Sequence, residues 1–125
     1  MSRYAGRLPT TYAEAETMLR GKQVRTVVNN TRVSRRDEET ISVQYHGNTI
    51  ATFHADGTRE FTTCGWGTVS THERLNAMTP RSIGFVRRDY AGHVQVQHEG
   101  DFEALYADTV RLAADGSIID ITKEH

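Results

Sequence analysis

The sequence predicts an α+β fold: a curved, partly barrel-like antiparallel sheet of short strands with two short helices packed on it. Three observations carry this expectation. Short segments of alternating or β-branched residues follow one another, each bounded by a turn signal such as Gly47-Asn48, Asp56-Gly57 or Asp115-Gly116. Two other stretches begin on a hydroxyl residue with a glutamate three positions on, at Thr11/Glu14 and Ser70/Glu73, the pattern of a helix start. At 125 residues and 37% apolar, the chain is one domain with a modest core.

In order along the chain, residues 1–10 read as a flexible basic arm. Pro9 and the Thr11 capping box open a helix over Tyr12 to Arg20, where Tyr12, Ala15, Met18 and Leu19 fall near helical spacing and Gly21 ends it. Gln23 to Val33 is rich in Val and Thr and is interrupted by Asn29-Asn30. Thr40 to Tyr45 alternates Ile41, Val43 and Tyr45 with polar residues, then turns at Gly47-Asn48 into Thr49 to His54. Arg59 to Thr63 follows the next turn. Ser70 caps a second helix over Thr71 to Met78, limited by Pro80. Ile83 to Arg88 and Val94 to His98 form a hairpin around Ala91-Gly92. Phe102 to Ala107 reads as strand or helix, and Val110 to Ala113 pairs with Ile118 to Ile121.

Composition excludes several classes of function. Net charge is −1, so no global field draws the protein to nucleic acid or membranes. The charge is uneven: Arg20 to Arg36 carries six cations and no acid, whereas acids dominate from Glu99 onward. The lone Cys64 permits no intrachain disulfide and fits a reducing compartment. No apolar run is long enough to span a bilayer, and the N-terminus lacks the apolar stretch of a secretory signal. A complete small protein of the cytoplasm, without a membrane partner, is expected.

Residues 65 to 76 are the most informative stretch. The single tryptophan, Trp66, lies between Gly65 and Gly67, which suggests close backbone approach at a pocket wall, a subunit contact or a bend. A nucleotide-like ligand needs an aromatic face, anion donors and hydroxyls or amides. Trp66, Thr68, Ser70, Thr71, Arg74 and Asn76 supply these within one turn and the helix after it, whose N-terminus favours anions. The competing reading makes Trp66 core, Ser70 a cap and Arg74 a solvated cation. Cys64 with His72 does not amount to a nucleophile and base, because spacing places nothing within reach of the sulfur. The six histidines show no zinc spacing, so no metal is expected. The Arg20 to Arg36 stripe with Tyr45, Phe53 or Trp66 could bind nucleic acid, but a solvated strand edge is favoured.

The pieces Asn29-Asn30-Thr31, Tyr45-His46-Gly47-Asn48-Thr49-Ile50 and Gly65 to Thr71 with Arg74-Leu75-Asn76 resemble a widespread set of small bacteriophage proteins. Those proteins carry an Asn-Thr element, a His-Gly/x-Thr hairpin, and Gly-Gly-Trp-x-Thr-Val-Thr-Thr followed by Arg-x-Asn. Here Cys64 stands for the first Gly and Ser70 for the first Thr of the Thr-Thr pair, and the resemblance spans residues 29 to 80. It implies an early accessory protein that disarms host defence. The anti-defence class similar in size is the sponge that sequesters nucleotide immune signals of Thoeris or CBASS systems, usually as an oligomer.

The expectation is therefore a non-enzymatic, cytoplasmic homo-oligomer that binds a cyclic oligonucleotide or a cyclic ADP-ribose-like ligand without a cofactor. Trp66 or Tyr45 would stack on the base. Arg74, with Arg25 as second candidate, would meet phosphate, and Thr68, Thr71 and Asn76 would bond sugar or phosphate oxygens. A nucleic-acid-binding accessory protein and a protein-directed inhibitor of a host enzyme are the alternatives.

Overall fold

The computed structural model describes residues 4–125. The described residues form two helices and ten strands. In order these are α1 (Tyr12–Leu19), β1 (Val24–Val28), β2 (Thr31–Asp37), β3 (Thr40–Tyr45), β4 (Asn48–His54) and β5 (Arg59–Thr62). Then come α2 (Val69–Met78), β6 (Ile83–Arg88), β7 (Ala91–His98), β8 (Asp101–Tyr106), β9 (Thr109–Leu112) and β10 (Ile118–Thr122). A seven-stranded sheet runs β1-β2-β3-β4-β5-β9-β10, and β6-β7-β8 form a separate three-stranded sheet. Pairing is antiparallel in both. The α+β expectation holds, but the large sheet is open, with β1 and β10 as its edges, rather than barrel-like.

The large sheet is held by side chains aligned in register. Val33, Val43, Ala51, Phe61 and Val110 form one cross-strand row over β2, β3, β4, β5 and β9, and all are buried. On the same face Ile41, Phe53 and Leu112 belong to the next row, with Phe53 meeting Phe61 edge to face at 5.8 Å. Helix α1 lies against β1 to β4 and buries Ala15 and Leu19. Each such large side chain contributes about 1.5–3 kcal/mol through burial.

Helix α2 packs on β6. Leu75 and Met78 join Ile83, Phe85, Val94 and Val96 in the core. The Asn76 amide brackets one residue of β6: its Nδ2 donates to Phe85 O at 3.1 Å, and Phe85 N donates to its Oδ1 at 2.7 Å. The smaller sheet is thus bonded to the helix that follows the Trp66 segment.

Several local expectations shift. The segment expected to be a loose arm is packed from Tyr4 onward, with Tyr4 and Leu8 buried and Arg7 N–H donating to Tyr4 O at 2.9 Å. Residues 1–3 of that arm lie outside the described residues. Helix α1 is capped as expected, Glu14 N–H donating to Thr11 Oγ1 at 3.2 Å, but the Glu14 carboxylate accepts from Thr10. Helix α2 begins earlier than expected. Its N-cap is Thr68, whose Oγ1 accepts from Thr71 N, so Ser70 lies in the first turn. The β3–β4 turn is His46-Gly47, one residue before the expected pair, because both adopt left-handed φ (51° and 81°) and Tyr45 pairs with Asn48. Asn29-Asn30 is itself a turn, and the β6–β7 turn is Asp89-Tyr90 rather than Ala91-Gly92.

Candidate ligand-binding site

The segment from Thr63 to Thr68 builds the site. Cys64 and Gly65 take successive left-handed conformations (φ 55° and 78°), and Trp66 N–H donates back to Thr63 O at 2.8 Å. Glycine is needed at 65 for its φ, and because a Cβ there would lie 3.1 Å from the His125 Cβ. The close approach inferred from the glycines is therefore to the C-terminal segment rather than around the indole. The turn throws Trp66 outward, leaving it 62% exposed. Tryptophan is highly buried on average, so a ring this exposed is unusual.

Trp66 walls a cleft of about 380 Å³. The cleft is also lined by Ile50 and Tyr45, by His46 and Asn48 of the β3–β4 hairpin, and by Thr68, Ser70 and Thr71 of the α2 start. The polar groups are linked. Tyr45 OH donates to Ser70 Oγ at 3.0 Å, and Thr68 Oγ1 lies 3.2 Å from Ser70 Oγ and 3.0 Å from Thr71 Oγ1. An apolar slot with a few convergent hydroxyls and a helix N-terminus suits a planar, polar-edged ligand.

Five of the eight residues expected from the sequence line this cleft: Trp66, Thr68, Ser70, Thr71 and Tyr45. Three do not. Arg74 is 2% exposed, and each of its three nitrogens donates within the fold: Nε to Thr31 Oγ1 (2.7 Å), Nη1 to Ser70 O (2.9 Å) and Nη2 to Asn29 O (2.9 Å). Its guanidinium also lies between the rings of Tyr4 (4.5 Å) and Tyr45 (3.9 Å). Arg74 is therefore buried behind Tyr45 and Ser70, which line the cleft, and does not itself face it. Asn76 spends its amide on Phe85, and Arg25 donates to Met18 O at the end of α1.

Cys64 is half-buried and its Sγ donates to Thr49 O at 2.8 Å. Burial, and then the charge of Asp108, push the thiol pKa up, which disfavours the thiolate that a nucleophile requires.

Sequence reasoning missed the far side of Trp66. A second cleft of about 360 Å³ shares Thr63, Trp66 and Thr68 with the first and reaches Arg87, Tyr90, Tyr106, Asp108 and Lys123. Asp108 is 1% exposed and accepts from the N–H groups of Glu124 (2.9 Å) and His125 (3.0 Å), with Lys123 Nζ at 3.5 Å. Burial alone would raise its pKa; the bonds from Glu124, Thr109 and His125 with the Lys123 charge outweigh that and hold it below the usual carboxylate value. Its stabilisation is thus complete above the unfolded carboxylate pKa near 4 and fades as pH falls through the lower folded value. Asp108→Asn should cost about 1–3 kcal/mol at pH 7. Urea melts should show that gap closing at acid pH; an equal gap at both would contradict this role. The signal available in the sequence was Arg87-Arg88-Asp89-Tyr90, a cationic run ending on an aromatic, with the nearby Gly92 drawing the expected turn two residues too far along.

The fold and clefts define a small α+β domain with preformed ligand-sized surface cavities. A family model for the Kyanoviridae Gp96 protein matches residues 11–111, and the chain belongs to that phage protein family. No curated protein and no solved structure matches the chain. Among the described residues, no helix is long and apolar enough to cross a membrane.

Proposed function

We propose that this phage protein binds and sequesters a nucleotide-derived immune signal, a cyclic oligonucleotide or cyclic ADP-ribose-like molecule, without chemically altering it. The observation that carries the reading is the exposed Trp66 ring lining one cleft with Ile50, Tyr45 and linked hydroxyls. Such a ring offers a stacking face whose value for a base is about 1–3 kcal/mol. Thr68 and Ser70 supply hydroxyls for sugar or phosphate oxygens, backed by the buried Thr71 through its contact with Thr68. The phosphate cation expected at Arg74 is reassigned to Arg87 and Lys123 on the other side of the indole. The homo-oligomer expected from the sequence belongs to the same proposal and is read by light scattering.

The test is a thermal-shift screen followed by calorimetry against cyclic di- and trinucleotides and cyclic ADP-ribose isomers. A ligand at a hundredfold its Kd stabilises the fold by about 2.7 kcal/mol, well within reach of a melting curve. Absence of a shift with every member of the panel would overturn the proposal.

A further inference from the structure

The second cleft has features that the Trp66 slot does not need. Three rings border it: Trp66, Tyr106, which is 60% exposed, and Tyr90, which is 92% exposed. Four of the other lining residues are small, Gly65, Gly67, Ala91 and Gly92. Each tyrosine has a cation over its ring, Lys123 Nζ at 4.9 Å from the Tyr106 centroid and Arg87 Cζ at 5.9 Å from that of Tyr90. Tyr106 is braced edge to face by His93 at 5.7 Å.

Tyr90 is also held against backbone preference. Asp89 and Tyr90 form the two-residue β6–β7 turn with φ of 50° and 63°, since Arg88 pairs with Ala91. A bulky non-glycine residue in the left-handed region is costly, and such strain concentrates at functional positions. The positive charge of Arg87 is felt beneath the Trp66 segment: burial first, then Arg87, lowers the pKa of His72, whose Nε2 would lie 3.5 Å from a Cβ at Gly67.

The two clefts adjoin, because Thr63, Trp66 and Thr68 line both. We infer that the ligand carries two bases, one in each cleft on either side of Trp66, with phosphate at Arg87 and Lys123. This rests on reading the Trp66 cleft as a nucleotide site and narrows its ligand to a dinucleotide. Two cations, one already beside Asp108 at 3.5 Å, suit one or two phosphates rather than a long polyanion. Together the clefts also fall within the range of about 300–1,000 Å³ that small-molecule sites occupy.

The experiment compares matched mononucleotides, linear dinucleotides, cyclic dinucleotides and a single-stranded decanucleotide by calorimetry, on the parent chain and on Arg87→Ala and Tyr106→Ala. Both variants alter exposed side chains, so their melting temperatures should stay close to the parent's. The inference predicts that a dinucleotide binds about ten- to hundredfold more tightly than its mononucleotide. Tyr106→Ala should remove most of that advantage, whereas Arg87→Ala, which deletes a phosphate contact, should weaken mononucleotide and dinucleotide alike. A tighter cyclic form would mark a signalling molecule and a tighter linear form a nucleic-acid end; either supports two bases. Mononucleotides binding as tightly as dinucleotides would overturn the second base site and leave the Trp66 reading intact. No binding of any nucleotide would overturn both. A decanucleotide that binds far more tightly than the dinucleotide, with steep salt dependence, would replace the discrete ligand with single-stranded nucleic acid.

Discussion

Replacing Arg74 with alanine is expected to lower the melting temperature by roughly 10–20 °C. The guanidinium is buried, joins Asn29 O, Thr31 Oγ1 and Ser70 O, and fills the space between Tyr4 and Tyr45. Alanine would strand those acceptors and open a gap between two rings, a combined cost of about 3–5 kcal/mol. Arg74→Lys keeps the charge but loses the planar fork and its stacking, so it should recover only part of the loss. The substitution should also weaken ligand binding, because Tyr45 and Ser70 line the cleft and both are positioned by Arg74. Thermal melts of the two variants check this. A lysine variant as stable as the parent would show that charge alone matters, and an alanine variant as stable as the parent would contradict the assignment.

Trp66→Ala should have the opposite profile. The ring is mostly in solvent and makes little core contact, so stability should change by no more than about 0.5 kcal/mol. Binding should fall by about ten- to hundredfold, the loss of one stacked base. If the two-base arrangement holds, the loss is larger for a dinucleotide than for a mononucleotide, since the indole serves both clefts. A variant that unfolds would place Trp66 in the core instead, and one that binds unchanged would remove the indole from the site.

The contrast between these residues shows what the sequence made legible. The Gly-Trp-Gly segment announced an unusual backbone, and five residues around it do line one cleft. The alternation of β3 and β4 and the Asp115-Gly116 turn marked those strands and their hairpin pairing. What remained hidden depended on tertiary contacts. Arg74 reads as a surface cation on an exposed helix turn until the β1–β2 turn and Tyr4 are folded over it. Asn29, Thr31, Tyr45 and Ser70, which belong to three separate stretches of chain, meet at its guanidinium. The motif pieces spread from 29 to 76 are therefore tied together by a structural clasp as well as by a cleft.

Turn chemistry explains the other misses. Gly47-Asn48 is a plausible hairpin pair, but His46-Gly47 takes the two left-handed positions, shifting the register by one. Asp89-Tyr90 carries no glycine, so its only turn signal was Asp89, and Ala91-Gly92 was the more evident pair. The open edges of the large sheet depend on β9 returning to pair with β5, a long-range contact that no local pattern encodes.

The most direct measurement uses the protein's single tryptophan as its own reporter. Titrating cyclic dinucleotides while following Trp66 emission should give saturable quenching with a shift to shorter wavelength, as a base covers a ring now largely in water. The midpoint should agree with the calorimetric Kd. Emission that keeps its unliganded intensity and position up to millimolar concentrations of every nucleotide would contradict the assignment of these clefts as the binding site.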